Sequence, residues 1–376
     1  MIIGVPKEIK NHEYRVGLTP AAAKEFVANG HQVLIEDNAG TAIGFTNDQY
    51  VAAGATIIDT AEQIFEQAEM IIKVKEPQPN ECIMLREGQT LYTYLHLAPD
   101  PTQTELLVKS GATCIAYETV TDHTGGLPLL APMSEVAGRM SIQAGAHHLE
   151  KAQGGSGTLL GGVPGVAPAK VLVVGGGVVG TNAAKMAVGM GADVTILDRS
   201  LPRLRQLDDI FRGTVKTVFS TVDAIEHYTS KADLVIGAVL IPGAAAPKLI
   251  TKKHIENMKP GAVLVDVAID QGGCFETSKA TTHQEPTYVI DDVVHYCVAN
   301  MPGGVARTST MALNNATLPF GLALANKGPK RAMLEDQHLL NGLNVHKGKV
   351  TYKAVVDALG EELNLEYMEA TEALEL

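Results

Sequence analysis

The sequence predicts an α/β protein made of two doubly wound domains, and three observations carry that prediction. The chain has 376 residues, enough to bury two cores of ordinary domain size. Runs rich in β-formers alternate with helical patterns in two successive series. At the head of the second series an apolar strand meets a helix across a glycine-rich turn. The composition, 45% hydrophobic and 19% charged with 37 glycines and no low-complexity tract, is that of a compact globular chain with many tight loops.

The first series opens with Ile2–Val5, a helix over Ala21–Asn29, the strand Gln32–Glu36, a helix after Thr46, and Ala55–Ile58. Thr19-Pro20 supplies an N-cap with proline at the first helical position, and Gly30 stands where that helix should stop. Met70–Val74, Thr90–Tyr94 and Thr113–Tyr117 continue the alternation, which predicts parallel strands joined by crossover helices. Ser134 to Lys151 reads as one long helix, and the Gly/Pro-rich loop Gly154–Pro168 follows it.

The second series consists of Lys170–Val174, a helix, Asp193–Leu197, a helix, Val215–Ser220, Asp233–Ala238, Ala262–Val267 and Tyr288–Ile290. Beyond Pro302-Gly303-Gly304 the nearly uncharged stretch Thr308–Asn326 reads as a helix apolar on most sides, with further helical segments to the C-terminus. Such a helix needs covering. The tail is therefore expected to return to the first domain, giving a discontinuous domain of 1–133 with 305–376 and a continuous one of 134–304.

The formal charge of −12 argues against a nucleic-acid surface, which needs a basic footprint. An anionic ligand must then be held locally, by backbone amides and a few cations. The N-terminus lacks a signal-peptide pattern and the apolar runs are broken before the length of a membrane span, so a soluble, cytoplasmic protein is expected. Cys82, Cys114, Cys274 and Cys297 are widely spaced beside apolar stretches and read as structural thiols. His147-His148 is no metal site, because adjacent side chains on a helix diverge and no carboxylate or cysteine completes a set. No metal is expected.

The segment Val171-Leu-Val-Val-Gly175-Gly-Gly177-Val-Val-Gly180 places GxGxxG between an apolar strand and a helix. Gly175 permits the tight turn, Gly177 lets a pyrophosphate approach the backbone, and Gly180 lets the helix pack close to the sheet. The helix N-terminus offers N–H groups and partial positive charge to the phosphates. The next strand, Val194–Asp198, ends in an acid 18 positions beyond Gly180, near the spacing of a ribose-binding carboxylate. Strand, glycines, helix and acid together predict a Rossmann-like domain that binds NAD rather than NADP, since Asp198 repels a 2′-phosphate.

Matches to one known family run along nearly the whole chain: Ile3-Gly-Val-Pro-Lys-Glu-Ile-Lys, Glu13-Tyr-Arg15-Val-Gly-Leu-Thr-Pro20, Val74-Lys75-Glu-Pro77, Tyr94-Leu-His96-Leu-Ala98, Pro132-Met-Ser134-Glu-Val-Ala-Gly-Arg139-Met, Leu160-Gly-Gly-Val-Pro-Gly165, Asp266-Val-Ala-Ile-Asp270-Gln-Gly-Gly273 and Asn300-Met-Pro-Gly303. In these the chain resembles the alanine dehydrogenase / pyridine nucleotide transhydrogenase family. The resemblance implies reversible oxidative deamination of L-alanine to pyruvate and ammonium with hydride transfer to NAD, in a homo-oligomer, a hexamer. It implies that Arg15 and Lys75 hold the substrate, that His96 is the general acid/base, and that Asp270 is a second catalytic group. It also implies cofactor contacts from Ser134, Val178, Val179, Arg203, Ser220, Val239, Leu240, Asp270, Asn300 and Met301, beside Gly175, Gly177, Gly180 and Asp198. The discontinuous domain would then carry the substrate and the continuous one NAD.

The chemistry of those residue types agrees with the implied roles. Arginine offers a planar fork to a carboxylate, and lysine a compact charge that polarises a carbonyl. Histidine suits proton transfer near neutral pH. Asp270 follows the carboxyl end of a strand, where it either stabilises cationic intermediates or orients the ribose. Tyr94, Leu130 and Met133 would keep the substrate pocket small. An NAD-binding component of a proton-translocating transhydrogenase is the rival reading, distinguished by docking on membrane partners. A non-enzymatic NAD sensor would be marked by lost catalytic groups, and none of the four is lost.

Overall fold

The computed structural model describes residues 1–240 and 246–376, and the chain divides into two compact units: Met1–Met133 with Ala306–Leu376, and Ser134–Val305. Residues up to 133 contribute strands β1 (Ile2–Val5), β2 (Gln32–Glu36), β3 (Thr56–Ile58), β4 (Met70–Ile72), β5 (Thr90–Thr93) and β6 (Thr113–Ala116). The second unit contributes β7 (Lys170–Val174), β8 (Asp193–Asp198), β9 (Val215–Phe219), β10 (Leu234–Gly237), β11 (Val263–Asp266), β12 (Thr287–Ile290) and β13 (Val293–Tyr296). The returning tail adds β14 (Leu343–His346) and β15 (Lys349–Val350).

Among the described residues the strands form two sheets, β15-β14-β6-β5-β4-β1-β2-β3 and β12-β13-β11-β10-β7-β8-β9. Read from β3 and from β9, both contain the doubly wound order 3-2-1-4-5, whose direction reverses between β1 and β4 in one and between β7 and β10 in the other; the sixth parallel place is taken by β6 in the first sheet and by β13 in the second. The six core strands of each run parallel. Residues of β4, β5, β6, β10 and β11 are buried throughout, as expected of parallel strands covered on both faces. In the second unit Val171, Val173, Ile196 and Ile236 join one core, while Leu172, Val174, Leu197 and Val235 join the other. This is the period of two by which a strand feeds both faces.

Two expectations require correction. Tyr288–Ile290 is not a further parallel strand: it lies in β12, which runs antiparallel to β13 at the sheet edge, and β13 occupies the place beside β11. The turn between them is Asp291-Asp292, with φ of 49° and 60°. This is the left-handed pair that a two-residue hairpin needs, but it lacks the Asn-Gly or Asp-Gly signature. The tail is likewise not helical throughout. β14 and β15 form a second two-residue hairpin through Lys347-Gly348, and β14 extends the first sheet antiparallel to β6.

Helix Ala306–Lys327 buries Thr310, Leu313, Asn314 and Thr317 in the first unit. There Asn314 accepts the Thr19 amide at 2.8 Å and donates to the Gly17 carbonyl at 2.9 Å. The helix over Pro20–Ala28 starts as its sequence predicts, with the Thr19 hydroxyl accepting from the Ala22 amide. No helix of the described residues is long and apolar enough to cross a membrane. All four cysteines are buried and unpaired, and burial pushes the Cys82 thiol up to about 12.

The first unit also buries an ion cluster. Lys73, wholly buried just past β4, places its ammonium 2.8 Å from Glu8 and 3.0 Å from Glu81, both equally enclosed. Burial alone would discharge the lysine, but the two carboxylates outweigh it and raise its pKa. Glu8 follows β1 and also accepts the Val74 amide at 2.6 Å and the Lys75 amide at 3.3 Å. It thereby ties the end of β1 to the turn after β4. Replacing Lys73→Met strands two buried carboxylates and should cost about 3–5 kcal/mol, read from urea unfolding by circular dichroism. A loss within the range of exposed ion pairs, under about 1 kcal/mol, would show that the cluster contributes little.

Candidate active site

In the second unit the chain leaves β7 through Gly175, at φ 102°, and enters helix Val178–Gly189 at Gly177. A side chain at Gly175 would press within 2.8 Å of the Ala238 carbonyl, and one at Gly180 would stand 1.8 Å from the Gly175 carbonyl oxygen. At Gly177 a Cβ would meet nothing within 4 Å, so the loop is packed on two sides and open there. The helix has no side-chain cap, and its first-turn amides lie beyond the reach of intrahelical partners. A closed loop with one open, amide-bearing side is the shape a pyrophosphate requires.

Asp198 ends β8 beside this loop. Its Oδ2 accepts the Gly176 amide at 2.8 Å and its Oδ1 the Ser200 amide at 2.7 Å. Each oxygen keeps further acceptor capacity, so the carboxylate is held in place without being exhausted. Arg203 donates through Nε to the Gly176 carbonyl at 2.7 Å and through Nη2 to the Thr181 hydroxyl at 2.9 Å; the guanidinium braces the loop. Arg199 is exposed.

Ser220, buried just past β9, donates its amide to the Asp198 carbonyl at 2.9 Å. Val239 and Leu240 follow β10, whose neighbour Ala238 donates to the Val174 carbonyl at 2.8 Å. Val178 is exposed on the first turn of the helix and Val179 buried, and half-buried Ser134 lies in helix Ala131–His148. Asn300, at φ 59°, accepts His283 Nε2 on its carbonyl at 2.9 Å, and buried Met301 opens the next turn.

Asp270 is exposed on a 3-10 turn, Val267–Gln271, that follows β11. That turn is capped by buried Asp266, which accepts the Ala268 amide at 3.1 Å and the Cys274 amide at 2.9 Å. Burial holds the Asp266 carboxyl above its ordinary value despite these bonds. Glycine loop, terminal acid and strand-end residues thus line one edge of this sheet. The donor set fits a dinucleotide: amides for the pyrophosphate and a carboxylate for the ribose hydroxyls.

In the first unit the substrate residues named from sequence follow different strands. Lys75 comes after β4 and His96 after β5. Arg15 is buried, and its Nε and Nη2 edge is clasped by Glu13 at 2.7 Å on each nitrogen. Its Nη1 lies 3.2 Å from the sulfur of Met133. Tyr94, buried through its hydroxyl bond to the Leu129 carbonyl at 2.5 Å, stacks on the His96 ring with centroids 5.7 Å apart.

His96 adopts φ 45°, a left-handed conformation that a residue with a Cβ enters at a cost. It is held there by Glu118, after β6, which accepts the His96 amide at 2.6 Å and the Leu95 amide at 3.2 Å. Its ring is paired at 2.7 Å with Glu76, which also lies 3.2 Å from the Lys75 ammonium. Burial would lower the imidazole pKa, but the Glu118 and Glu76 carboxylates overcome burial and Lys75, and the net shift is upward. Glu76 itself is held well below the usual carboxylate range by His96, Lys75 and Lys10.

Glu13, Glu76 and Glu118 escaped the sequence reading. Glu76 lies inside the Val74-Lys75-Glu-Pro77 segment beside a residue already singled out, and Glu13 two positions before Arg15. Adjacency to a functional cation was the available signal for both. Glu118 carried none, because its partner is a backbone amide brought from another strand. Among the doubtful histidines, His148 is buried with its ring nitrogen 2.8 Å from the Ala144 carbonyl, while His147 is exposed near Glu150.

A dinucleotide-binding sheet together with a cluster of arginine, lysine and imidazole defines a pyridine-nucleotide-dependent dehydrogenase. Family models described as the N-terminal and C-terminal domains of alanine dehydrogenase/PNT match residues 4–137 and 141–353. An alanine dehydrogenase of Halomonas elongata is 64% identical over 98% of this chain and 99% of its own. That of Bacillus subtilis is 56% identical over 100% and 98%. A solved L-alanine dehydrogenase superposes with a TM-score of 0.94 at 51% identity, covering 96% of this chain and 100% of that one. A transhydrogenase from Sinorhizobium meliloti shares the fold at 24% identity and a TM-score of 0.81. The chain belongs to the alanine dehydrogenase/PNT family.

Removal of Asp198 should narrow the preference for NAD over NADP from both sides. One or two charge-assisted bonds to the ribose, about 1.5–3 kcal/mol each, are lost with NAD, roughly ten-fold or more in affinity. The 2′-phosphate meanwhile escapes repulsion, with exposed Arg199 rather than loop-bound Arg203 nearest in sequence to meet it. Saturation curves with each cofactor for Asp198→Ala and the native chain measure the ratio of kcat/KM. An unchanged ratio would mean that Asp198 serves the loop alone.

Proposed function

We propose that this protein is an NAD-dependent L-alanine dehydrogenase in which the first unit holds the substrate and the second unit NAD. The balanced reaction takes L-alanine, NAD and water to pyruvate, ammonium, NADH and a proton. The observation that carries the reading is the first unit's cluster, a clasped arginine and a lysine and imidazole bridged by one carboxylate, in a chain whose full-length relatives carry the alanine dehydrogenase name. When bound, NAD accepts a hydride from the α-carbon.

Arg15, its Nε and Nη2 edge held by Glu13, would receive the substrate carboxylate on the other edge of the guanidinium, and Lys75 would lie against the oxygen that becomes the carbonyl. Loss of hydride leaves an iminium on the substrate, which water must attack before ammonia departs. His96, as the neutral base, takes the proton of the attacking water and returns it to the departing amine. Asp270, exposed after β11 of the NAD-binding sheet, would offset cationic charge on the intermediates or orient the ribose. Met133 and Tyr94, packed around Arg15 and His96, would keep the pocket small enough for a methyl side chain.

The reading is tested by NADH formation with L-alanine alone, and by its reversal with pyruvate and ammonium. Failure of L-alanine to drive NAD reduction would remove it and leave the transhydrogenase component standing. His96→Ala should slow the chemical step by about 100-fold or more with NADH binding, followed by fluorescence, little changed. Arg15→Ala and Lys75→Ala should instead raise the pyruvate KM. Near-normal turnover of the His96 variant would take it out of the mechanism.

A cytoplasmic homo-oligomer, a hexamer, completes the proposal. Four unpaired buried thiols suit a reducing compartment. Much of helix Ala306–Lys327 is covered within its own unit, yet Met311 on it and Leu159, Val163 and Val166 on the glycine-rich loop remain exposed, which supports association. Light scattering should find a particle several times the 39.8 kDa chain. A stable monomer at micromolar concentration would overturn the assembly without touching the activity.

A further inference from the structure

We propose that Glu76 is a positioning residue that fixes the orientation and tautomer of His96 and couples it to Lys75. The inference rests on the acid/base role given to His96 above. Pro77 restricts the preceding residue to extended backbone, so Glu76 leaves β4 in a defined direction. Its carboxylate is largely enclosed, and its Oε1 is shared between His96 Nδ1 at 2.7 Å and the Lys75 ammonium at 3.2 Å. Its Oε2 accepts from Lys10 Nζ at 3.0 Å.

An ionised carboxylate only accepts hydrogen bonds. Nδ1 must therefore carry its proton, and Nε2 is left as the nitrogen that gains and loses one. The rest of the residue is already immobilised, its backbone by Glu118 and one ring face by Tyr94. Rotation of the ring is the remaining freedom, and the bond to Glu76 removes it. A base whose transferring nitrogen is chosen in advance loses less entropy in reaching the reacting proton.

The sign of the pH effect follows from the groups that face the ring: Glu76 and Glu118 favour the imidazolium, and Lys75 and burial oppose it. Deamination uses the neutral base, so its rate rises with pH through the His96 midpoint, which lies above the ordinary 6.5. Amination uses the imidazolium and falls through the same midpoint. Removing the Glu76 charge lowers that midpoint and frees the ring to take either tautomer.

Glu76→Gln and Glu76→Asp in the full chain test this. For Gln we expect the ascending limb of deamination kcat/KM to move down by about one pH unit and kcat to fall about 10- to 100-fold; Asp should keep the midpoint near the native one. A loss of activity in Gln with the midpoint unmoved would make Glu76 merely structural and overturn the proposal. Nitrogen-15 NMR titration of His96, assigned by its disappearance in His96→Asn, reads Nδ1 protonation without substrate. Native protein with Nδ1 protonated and Gln with mixed tautomers supports the pairing even if L-alanine proves inactive. Identical titrations in both refute it even if L-alanine is a substrate.

Discussion

A parallel strand delivers its chain at one edge of the sheet only, and the candidate site residues of this protein are distributed by that constraint. In the first sheet Glu8 follows β1, Lys75 and Glu76 follow β4, His96 follows β5 and Glu118 follows β6. In the second, Gly175 follows β7, Asp198 ends β8, Ser220 follows β9, Val239 follows β10 and Asp270 follows β11. In each sheet, crossovers diverge on either side of the reversal in strand order, which opens a crevice at the carboxyl edge. The same order thus yields an anion-binding glycine loop in one unit and a cationic cluster in the other. What differs is the residues placed after each strand.

The two units handle negative charge in different ways, as an acidic chain must. The second relies on amides at a helix start, whose partial charge needs no counter-ion and little desolvation. The first uses full cations, and each has its own carboxylate: Glu13 with Arg15, Glu76 with Lys75 and His96, Glu8 and Glu81 with Lys73. An enclosed cation without a partner is strongly penalised. Pairing lowers that penalty and sets geometry, at the expense of some attraction for any anion. Of these acids Glu76 also raises the basicity of His96, together with Glu118.

The reach of sequence reading can be judged element by element. The glycine motif and Asp198 were legible because a strand, a turn, a helix and a second strand constrain one another within about 30 residues. The parallel strands were legible as unbroken apolar runs between helical patterns. Both hairpins were missed, at Asp291-Asp292 and at Lys347-Gly348, since left-handed pairs other than the preferred Asn-Gly leave little trace. The tail illustrates the difference: the apolar helix Ala306–Lys327 announced that it needed cover, but only pairing with β6 shows that the chain after it adds β14 and β15.

By itself, the sequence determined the α/β class and the glycine-rich turn between strand and helix, and it nominated the candidate site side chains, because each depends on neighbours a few positions away or on the chemistry of a single residue. The tertiary structure decided the strand order and the partnerships: Glu118 with the His96 amide across 22 positions, Glu76 with its ring across 20, and Glu8 with Lys73 across 65. Those partners lie on separate strands, and their encounter depends on which strands become neighbours. Local propensity carries no record of that choice, which is made when the apolar strands find the order that buries both faces of the sheet.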